Sequence, residues 1–468
     1  MQDQSVDRVY KLYSLTILLI PLNAILGSSL IWGIYVSVYA MCFVRKLSYM
    51  ELLLVAILAV FVFSLTFHFV QFGFSLRIVA ALYNICILSF ATTAFYYGRN
   101  IFNFDRTNIA FRRIVTSGFY LWVSSALFVG GTILYSAIYG AQDLTINTII
   151  LGHFQNLPGI LKYYSQFSIL GVDWLTDSVK PRPVGFGIYY TEGAAVFAFS
   201  GFLAKIYVQI KAPNLAFIVD ALTLILINEM ASRTLFMAYA LGLAISFGMS
   251  SRFALRNSVS LVLMGAMALL FALSLGGMGF LETWLQESLS SRQGSTDQRF
   301  LSYTTAIDRV LNENIVFGLG VKPENPLLPE VPVGSHSTVI SFFTKGGAAA
   351  LSIFAIFYIL LVVKWCLAIA RFGMIIRNPN GKKWNIFKVL FRAATIFIFW
   401  IWTDDVDAPI NGSILSFFLL GVGLGYIEWM YGSYALAKLP SADFLHKKLE
   451  SEAYPPRAAN RSGRDGGS

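Results

Sequence analysis

Residues 336–363 read HSTVISFFTKGGAAALSIFAIFYILLVV, an apolar run in which Lys345 is the only formally charged side chain. A helix needs roughly 20 mostly apolar residues to cross a bilayer, and this run exceeds that length. Runs of the same character recur along the chain, at residues 10–27, 28–44, 50–68, 76–97, 114–139, 189–210, 213–230, 233–250, 258–280, 387–403 and 411–431. The sequence therefore predicts an all-α polytopic membrane protein with about 12 transmembrane helices.

The composition agrees with this fold class. Hydrophobic residues make up 56% of the chain and charged residues 13%, which is not the balance of a soluble domain. The run lengths favour helices over a membrane β-barrel, whose strands would alternate over about ten residues. The net charge of +10 does not indicate a nucleic-acid partner, because about 25 of the 35 Lys and Arg residues fall in loops on one side of the predicted spans. This positive-inside pattern predicts that both termini are cytoplasmic.

The alternation of apolar runs and polar loops divides the chain into regions. We predict N-terminal transmembrane helices in 1–139, an outer loop in 140–188, central transmembrane helices in 189–280, a large outer loop with a short helix in 281–335, C-terminal transmembrane helices in 336–431, and a partly disordered cytoplasmic tail in 432–468. The first two apolar runs are interrupted by Pro21, Asn23 and Gly27. They are compatible with two short helices or with one long kinked helix.

Several motifs of nucleotide and metal chemistry are missing from the sequence. There is no phosphate-binding glycine loop and no His-Glu-x-x-His pair for zinc, and the three cysteines form no Cys-x-x-Cys site. We therefore expect neither a metal nor another cofactor.

The first of three polar elements on the predicted outer face is residues 179–187, which read VKPRPVGFG. Arg182 lies between two prolines, which hold the backbone stiff and extended. The Gly-Phe-Gly that follows allows another backbone, or a ligand, to approach closely. Glu192, at the start of the next span, is a candidate substrate-binding residue.

The second element is the short turn at residues 229–234, which reads EMASRT. Arg233 there has three interpretations. It is an interfacial snorkelling residue, an ion-pair partner of Glu229, or part of an anion-binding site.

The third element, residues 282–336, is a polar segment rich in Pro and Gly between two apolar runs. Its centre has a helical period that begins at Arg299 and includes Tyr303, Ala306, Val310 and Leu311, and Asp297 suits the N-cap position. Tyr303 is a candidate substrate-binding residue. We expect this helix to end at 312–314.

Two glycine-containing stretches follow that helix. Residues 317–320 read FGLG, and residues 332–338 read PVGSHST. The second stretch places Ser335, a candidate substrate-binding residue, and His336 at the mouth of the next span.

Two or three Arg residues and one His on the predicted outer face suit a ligand that carries phosphate groups. Arg binds phosphate oxygens in a bidentate, charge-assisted manner, and His is the side chain most easily poised as a base near neutral pH. The set fits a substrate with a lipid-borne pyrophosphate. Arg292 and Arg309 are interpreted as surface charges.

The roles of five further acidic or basic residues stay open. The acidic turn Asp404, Asp405 and Asp407 is either a solvated loop or a source of a site carboxylate, for which Asp405 is the candidate. Asp220 and Lys345 fall within predicted spans, where charge is costly, and either brace the bundle or line a cavity.

These residues resemble the O-antigen polymerase/ligase superfamily, whose members include exopolysaccharide and capsule polymerases. Its members carry a large late periplasmic loop with an Arg near its start, a Gly-x-Gly after a helix and a His where the next span begins. Arg299, residues 318–320 and His336 match that order. An earlier Arg followed by Gly-Phe matches residues 182–186, and a Ser-Arg-Thr that opens a span matches 232–234. The resemblance covers about residues 180–363.

The resemblance implies a metal-independent membrane glycosyltransferase of the C type in the bacterial inner membrane. Its substrate would be an oligosaccharide linked to undecaprenyl pyrophosphate, with a chain-length regulator and a flippase as further partners besides the bilayer. Arg182 and Arg299 would hold the pyrophosphate and stabilise the leaving group. His336 would orient or deprotonate the acceptor hydroxyl, or support the pyrophosphate.

Three functions fit this picture. A polymerase would move the growing glycan onto the next lipid-linked repeat unit. A ligase would move it onto lipid A–core, but ligases usually carry Asn after the His, where this chain has Ser337-Thr338. A transporter or flippase for the same lipid-linked sugar would be expected to show repeated halves and broken helices. The sequence has no internal repeat.

Overall fold

The computed structural model describes residues 2–104, 109–140, 143–153, 165–172, 181–187, 189–230, 232–248, 293–324, 332–335, 337–375, 382–403 and 410–438. These residues form twelve α-helices, three short β-strands and two 3₁₀ turns. The helices are α1 Gln2–Leu26, α2 Ser29–Met41, α3 Tyr49–Phe72, α4 Leu76–Phe104, α5 Ile109–Tyr139, α6 Tyr190–Lys211, α7 Ala216–Glu229, α8 Arg233–Gly248, α9 Gln293–Glu313, α10 Thr338–Ile375, α11 Lys382–Thr403 and α12 Ile410–Lys438.

Eight of these helices are long and apolar enough to cross a membrane, namely α1, α3, α4, α5, α6, α10, α11 and α12. The predicted all-α, multi-pass membrane fold is therefore confirmed. Helices α2, α7 and α8 coincide with three other predicted spans but have only 13, 14 and 16 residues. The predicted span at 258–280 lies outside the described residues.

The first apolar stretch forms two helices rather than one kinked helix. Gly27, at φ 69°, lies between α1 and α2, and this left-handed backbone interrupts the helix. Pro21 does not mark the boundary, because it lies inside α1. A proline is tolerated within membrane helices when neighbouring groups satisfy the backbone that it frees.

Helices α4 and α12 pack closely at the centre of the bundle because glycines face the partner backbone. Cβ atoms added at these glycines would overlap carbonyl oxygens of the facing helix: Gly98 with Phe418, Gly421 with Phe95, and Gly425 with Arg99. Small residues spaced four apart allow such close approach between membrane helices. The most strongly apolar part of α12 is entirely buried within the protein, whereas only 28% of that of α3 and 33% of that of α10 is buried.

An ion network joins four helices at one end of the bundle. Arg99 of α4 donates to both oxygens of Glu51 at 3.0 Å and to Glu428 of α12 at 2.9 Å. Lys364 of α10 lies 3.3 Å from Glu428. This end corresponds to the predicted cytoplasmic side, and the network ties α3, α4, α10 and α12 together there.

A second ionic cluster is buried among α6, α7, α8 and α11. The Asp220 carboxylate pairs with Lys205, accepts from Arg392 Nη1 at 2.9 and 3.1 Å, and accepts from the Tyr239 hydroxyl at 2.8 Å. Arg392 also donates to the Ser246 hydroxyl at 2.7 Å. Asp220 therefore braces four helices, which is the first of the two roles, brace or cavity lining, that its sequence position allowed.

The other end of the bundle carries a small antiparallel sheet of β1 Leu144–Asn147, β2 Gln166–Val172 and β3 Pro181–Pro183, in the order β1-β2-β3. It belongs to the region predicted as loop 140–188. The amide of Ile150 donates to the Leu26 carbonyl at 2.9 Å, so this region meets the turn between α1 and α2. Arg77 pairs with Glu324 at 3.1 Å, so the loop after α9 meets the start of α4 at this same end.

Candidate functional site

Arg182 lies on the edge strand β3, whose backbone is extended as its two prolines predicted. The strand pairs with β2, with Arg182 opposite Gly171. Proline cannot donate to a sheet and is confined to edge positions, so the Pro-Arg-Pro sequence suits this place. The Arg182 side chain is only 6% exposed, so it is part of the folded interior and not a solvated surface charge.

Residues 184–187 pack directly on the first turn of α6. A Cβ atom at Gly193 would overlap the Val184 carbonyl, and one at Gly187 would overlap the Gly193 amide. Gly185 adopts φ +73°, a conformation that favours glycine. The Gly-Phe-Gly motif therefore allows two backbones to approach, one of the two uses predicted for it.

Glu192 joins two helix N-termini. It is fully buried in the first turn of α6, and its Oε1 accepts from the Asn411 amide at 3.1 Å, in the first turn of α12. A carboxylate is stabilised by the unpaired amides and partial positive charge of such helix ends. The structure thus gives Glu192 a bracing role, and contact with a substrate stays a prediction. Asp405, in the turn before α12, lies outside the described residues.

The turn between α7 and α8 meets the same region. The Met230 side chain lies against Gly185 and Gly193, at 2.9 and 3.0 Å from the positions their Cβ atoms would take. Arg233 is the first residue of α8, and Ser232 before it is buried. The Arg233 side chain is not among the described ones, so its three interpretations stand. Arg182, Glu192 and the Arg233 turn therefore meet at one end of the bundle.

Helix α9 contains Arg299 and ends at Glu313 within the expected range, but its predicted start at Arg299 is wrong, since it already includes Gln293. The predicted N-cap is wrong, since α9 begins at Gln293 and Asp297 lies inside it. An acidic residue near a helix start is stabilised by the helix dipole as well as by capping, so the same residue type suits both positions.

The face of α9 that packs on the protein carries Ser302, Ala306 and Val310, all fully buried. Position 299 is three residues before Ser302 and seven before Ala306, and by the 3.6-residue period it falls on this same face. Tyr303, predicted to bind substrate, is half-buried beside it. Leu311, which the sequence grouped with the helical period, is instead 52% exposed.

Ser302 connects α9 to the segment that holds the predicted histidine. Its hydroxyl accepts from the Gly334 amide at 3.1 Å. Gly334 adopts φ +78°, and a Cβ atom there would overlap the Thr344 hydroxyl of α10. Gly334 is thus held between α9 and α10, two residues before position 336. His336 itself lies outside the described residues, Ser335 is half-buried next to it, and Ser337 after it is buried.

Helix α10 is broken at Gly347, where φ is +60° and ψ is −158°. The segment that contains the Gly-Leu-Gly motif fills this break. The amides of Leu319 and Gly320 donate to the Thr344 and Lys345 carbonyls at 2.7 and 3.1 Å. On the other side of the break, the amides of Ala348 and Ala349 donate to the carbonyls of residues 315 and 316 at 2.8 and 3.0 Å.

Glycine is required on both sides of this contact. Gly318 adopts φ +67°, and a Cβ atom there would lie 2.5 Å from the Gly347 amide nitrogen. Ser64 of α3 donates to the carbonyls of both Phe317 and Lys345, at 2.5 and 2.7 Å. The Lys345 ammonium lies over the Phe61 ring, 4.9 Å from its centroid. Lys345 therefore braces α10 against α3.

Sequence reasoning missed Ser302, Ser64 and Thr344. A signal existed for Ser302, since it lies one helical turn after Arg299. None existed for Ser64 or Thr344, whose roles depend on contacts with residues distant in the sequence.

The comparisons with known proteins assign no family. No family model matches the sequence, and no curated protein is significantly similar to it.

Proposed function

We propose that the protein is a polymerase of a bacterial surface polysaccharide, such as O-antigen, exopolysaccharide or capsule, in the inner membrane. It would transfer the growing glycan from undecaprenyl pyrophosphate to the next lipid-linked repeat unit on the periplasmic face. The observation that carries the proposal is the Ser302–Gly334 hydrogen bond of 3.1 Å. Through it, the helix face at position 299 and the segment before position 336 meet above a membrane-spanning helix.

The chemistry assigned to these positions is glycosyl transfer. The bond between the sugar anomeric carbon and the pyrophosphate oxygen breaks, and a bond from the acceptor hydroxyl oxygen to that carbon forms. Arg182 and Arg299 would stabilise the negative charge on the departing undecaprenyl pyrophosphate. His336 would take the hydroxyl proton or orient that hydroxyl. A ligase would use the same groups with lipid A–core as acceptor.

One observation favours the transporter alternative, namely the broken helix α10, because transporters coordinate substrates with the free backbone groups of interrupted helices. In this chain, however, four backbone groups at the break already have protein partners in the 315–320 segment. Because these backbone groups already have hydrogen-bond partners, the observation supports an enzyme rather than a transporter.

The test is polysaccharide length in cells that carry single substitutions. His336→Ala and Arg299→Ala should abolish chain growth, and Arg182→Lys should impair it because lysine loses the bidentate fork. Arg309→Ala is the matched control, since Arg309 lies on the same helix as Arg299 and is interpreted as a surface charge. Protein amount in the membrane is measured in parallel.

Normal polymer in both the His336 and Arg299 variants would overturn the proposal. The gel pattern of a deletion strain separates the two transferases. Lipid A–core capped with a single repeat unit indicates a polymerase, whereas long chains that accumulate on the lipid carrier indicate a ligase.

A further inference from the structure

The height of the segment that fills the break in α10 can be compared with the thickness of a membrane. The charged network around Arg99 provides a reference level, since Glu51 of α3 and Lys364 of α10 both belong to it. Ser64, which contacts the segment, is thirteen residues along α3 from Glu51, or about 20 Å at 1.5 Å per residue. Gly347 is seventeen residues along α10 from Lys364, or about 25 Å.

Both distances are shorter than the hydrocarbon core, which is about 30 Å thick. If the charged network marks one boundary of that core, the segment lies about 5–10 Å inside the opposite boundary. This estimate uses only membrane thickness and helix rise. It does not depend on which side faces the periplasm or on the proposed function.

The exposed side chains of this segment are apolar. Leu311, Ile315 and Val316 are 52, 49 and 50% exposed. They continue an exposed aromatic surface of α3, because the Phe317 ring lies 4.8 Å from the ring of Phe63, which is itself 53% exposed. Since α3 is a membrane-spanning helix, its exposed face meets lipid, and the apolar side chains after α9 extend that face.

The polar neighbours limit the depth of insertion. Asn312 and Glu313 are exposed beside Leu311, and a charged side chain deep in hydrocarbon is costly. A shallow position near the headgroups lets the Glu313 carboxylate reach water, as interfacial helices do at depths of about 5–10 Å.

We propose that residues 311–318 form a re-entrant turn that inserts shallowly into one lipid leaflet, with Leu311, Ile315 and Val316 facing the acyl chains. The segment enters the leaflet at the end of α9, fills the break in α10, and leaves after Gly320. Its partner is lipid hydrocarbon. The turn also explains why Leu311 is exposed although it is apolar, and it places position 299 on a helix that rises from the leaflet surface.

Spin-label accessibility in nanodiscs tests this proposal. Cys42, Cys86 and Cys366 are first replaced by alanine, and single cysteines are then introduced by Val316→Cys, Phe63→Cys or Glu324→Cys. Phe63 provides the lipid-facing control, and Glu324, whose side chain is 72% exposed, provides the water-facing control. Power saturation compares collision with oxygen, which partitions into lipid, and with a water-soluble nickel chelate.

The label at 316 should show an oxygen-to-nickel accessibility ratio close to that at 63 and several-fold above that at 324. A ratio like that at 324 would place the turn in water and overturn the proposal. Low accessibility to both reagents would mean that a protein surface or a second copy covers the turn, which also overturns it. Ile315→Cys repeats the measurement at the neighbouring position if the label at 316 disturbs the fold.

Discussion

Replacing Asp220 with asparagine should destabilise the bundle far more than replacing Lys205 with methionine. Both residues belong to the cluster among α6, α7, α8 and α11, and both are buried, at 8 and 5% exposure. The cluster contains two cations, Lys205 and Arg392, around one carboxylate. Loss of the carboxylate therefore leaves two buried cations together, whereas loss of Lys205 leaves one matched Asp–Arg pair.

The magnitudes follow from this charge count. Removing one partner of a buried ion pair typically costs about 3–5 kcal/mol, because the remaining charge stays buried without compensation. Asparagine keeps the shape of aspartate and can still accept from Tyr239, so the loss in Asp220→Asn reports the charge. Replacing a whole buried ion pair or triad with apolar residues is often neutral or stabilising, because no charge is then left without compensation. Lys205→Met likewise leaves no excess charge, since Asp220 and Arg392 still balance each other. Lys205→Met is therefore expected to change stability by less than about 1 kcal/mol.

Thermal unfolding in detergent, followed by size-exclusion chromatography of a fluorescent fusion, measures the difference. At about 2 °C per kcal/mol for a large domain, Asp220→Asn should lower the Tm by about 6–10 °C. Lys205→Met should stay within about 2 °C. Equal losses in the two variants, or an unchanged Tm in Asp220→Asn, would refute the account of the cluster as one brace with an excess cation.

Three further substitutions test the packing of the bundle and the loop that holds the predicted histidine. Gly318→Ala should cost more than about 1–2 kcal/mol, because it combines a left-handed backbone with a clash against the break in α10. Gly131→Ala is the control, because a Cβ atom at this helical position would meet no other atom within 4 Å, and it should be neutral or stabilising by up to about 1 kcal/mol. Equal Tm values for the Gly318 and Gly131 variants would contradict the expected clash. Gly425→Ala should lower the Tm by forcing α12 away from a backbone carbonyl of α4, and an unchanged Tm would mean that the helices separate without cost. Ser302→Ala should cost about 1–3 kcal/mol by leaving a buried amide without its acceptor. Thr304→Ala, whose hydroxyl bonds within its own helix, is the control and should cost less.

The spans were predictable because their signal is local. A run such as 336–363 is apolar over its whole length, and hydrocarbon requires a helix of that length. The extended backbone at Arg182 was predictable for the same reason, since two prolines restrict it directly. Gly27 was recognised as an interruption, but its effect depends on a single φ angle, and the sequence left open whether the helix bends or ends.

The break in α10 was not predictable, because its cause lies elsewhere in the chain. Residues 344–349 read TKGGAA within a long apolar run, and two glycines in a membrane helix are unremarkable alone. The break forms because backbone groups of 315–320 replace the hydrogen bonds that the helix loses. The three-stranded sheet was missed in the same way, since β3 is three residues long and exists only through its pairing with β2.

The exposure of Leu311 has a different cause from the wrong N-cap. The helical period of α9 groups Leu311 with Ala306 and Val310, and periodicity alone would place all three on one buried side. In the structure the buried side carries Ser302, Ala306 and Val310, while Leu311 points away from the bundle. Small residues such as Ser302 and Ala306 form much of this buried side, so the periodicity of large apolar residues alone does not identify it.

The filled break also bears on the choice between an enzyme and a transporter. Moving the first part of α10 away from the 315–320 segment would break four backbone hydrogen bonds of 2.7 to 3.1 Å. At about 1 kcal/mol net for each hydrogen bond, the free energy of the open state is about 4 kcal/mol above that of the closed state. About one molecule in a thousand is then open. The closed arrangement at the break in α10 is therefore pre-organised, as catalysis requires. Alternating access in a transporter would instead need both the closed and the open state to be populated. Hydrogen exchange in nanodiscs tests this, since the amides of Leu319 and Gly320 should exchange about a thousand-fold more slowly than a free peptide. Exchange within a few-fold of the free rate would show that the break opens readily, which would favour the transporter.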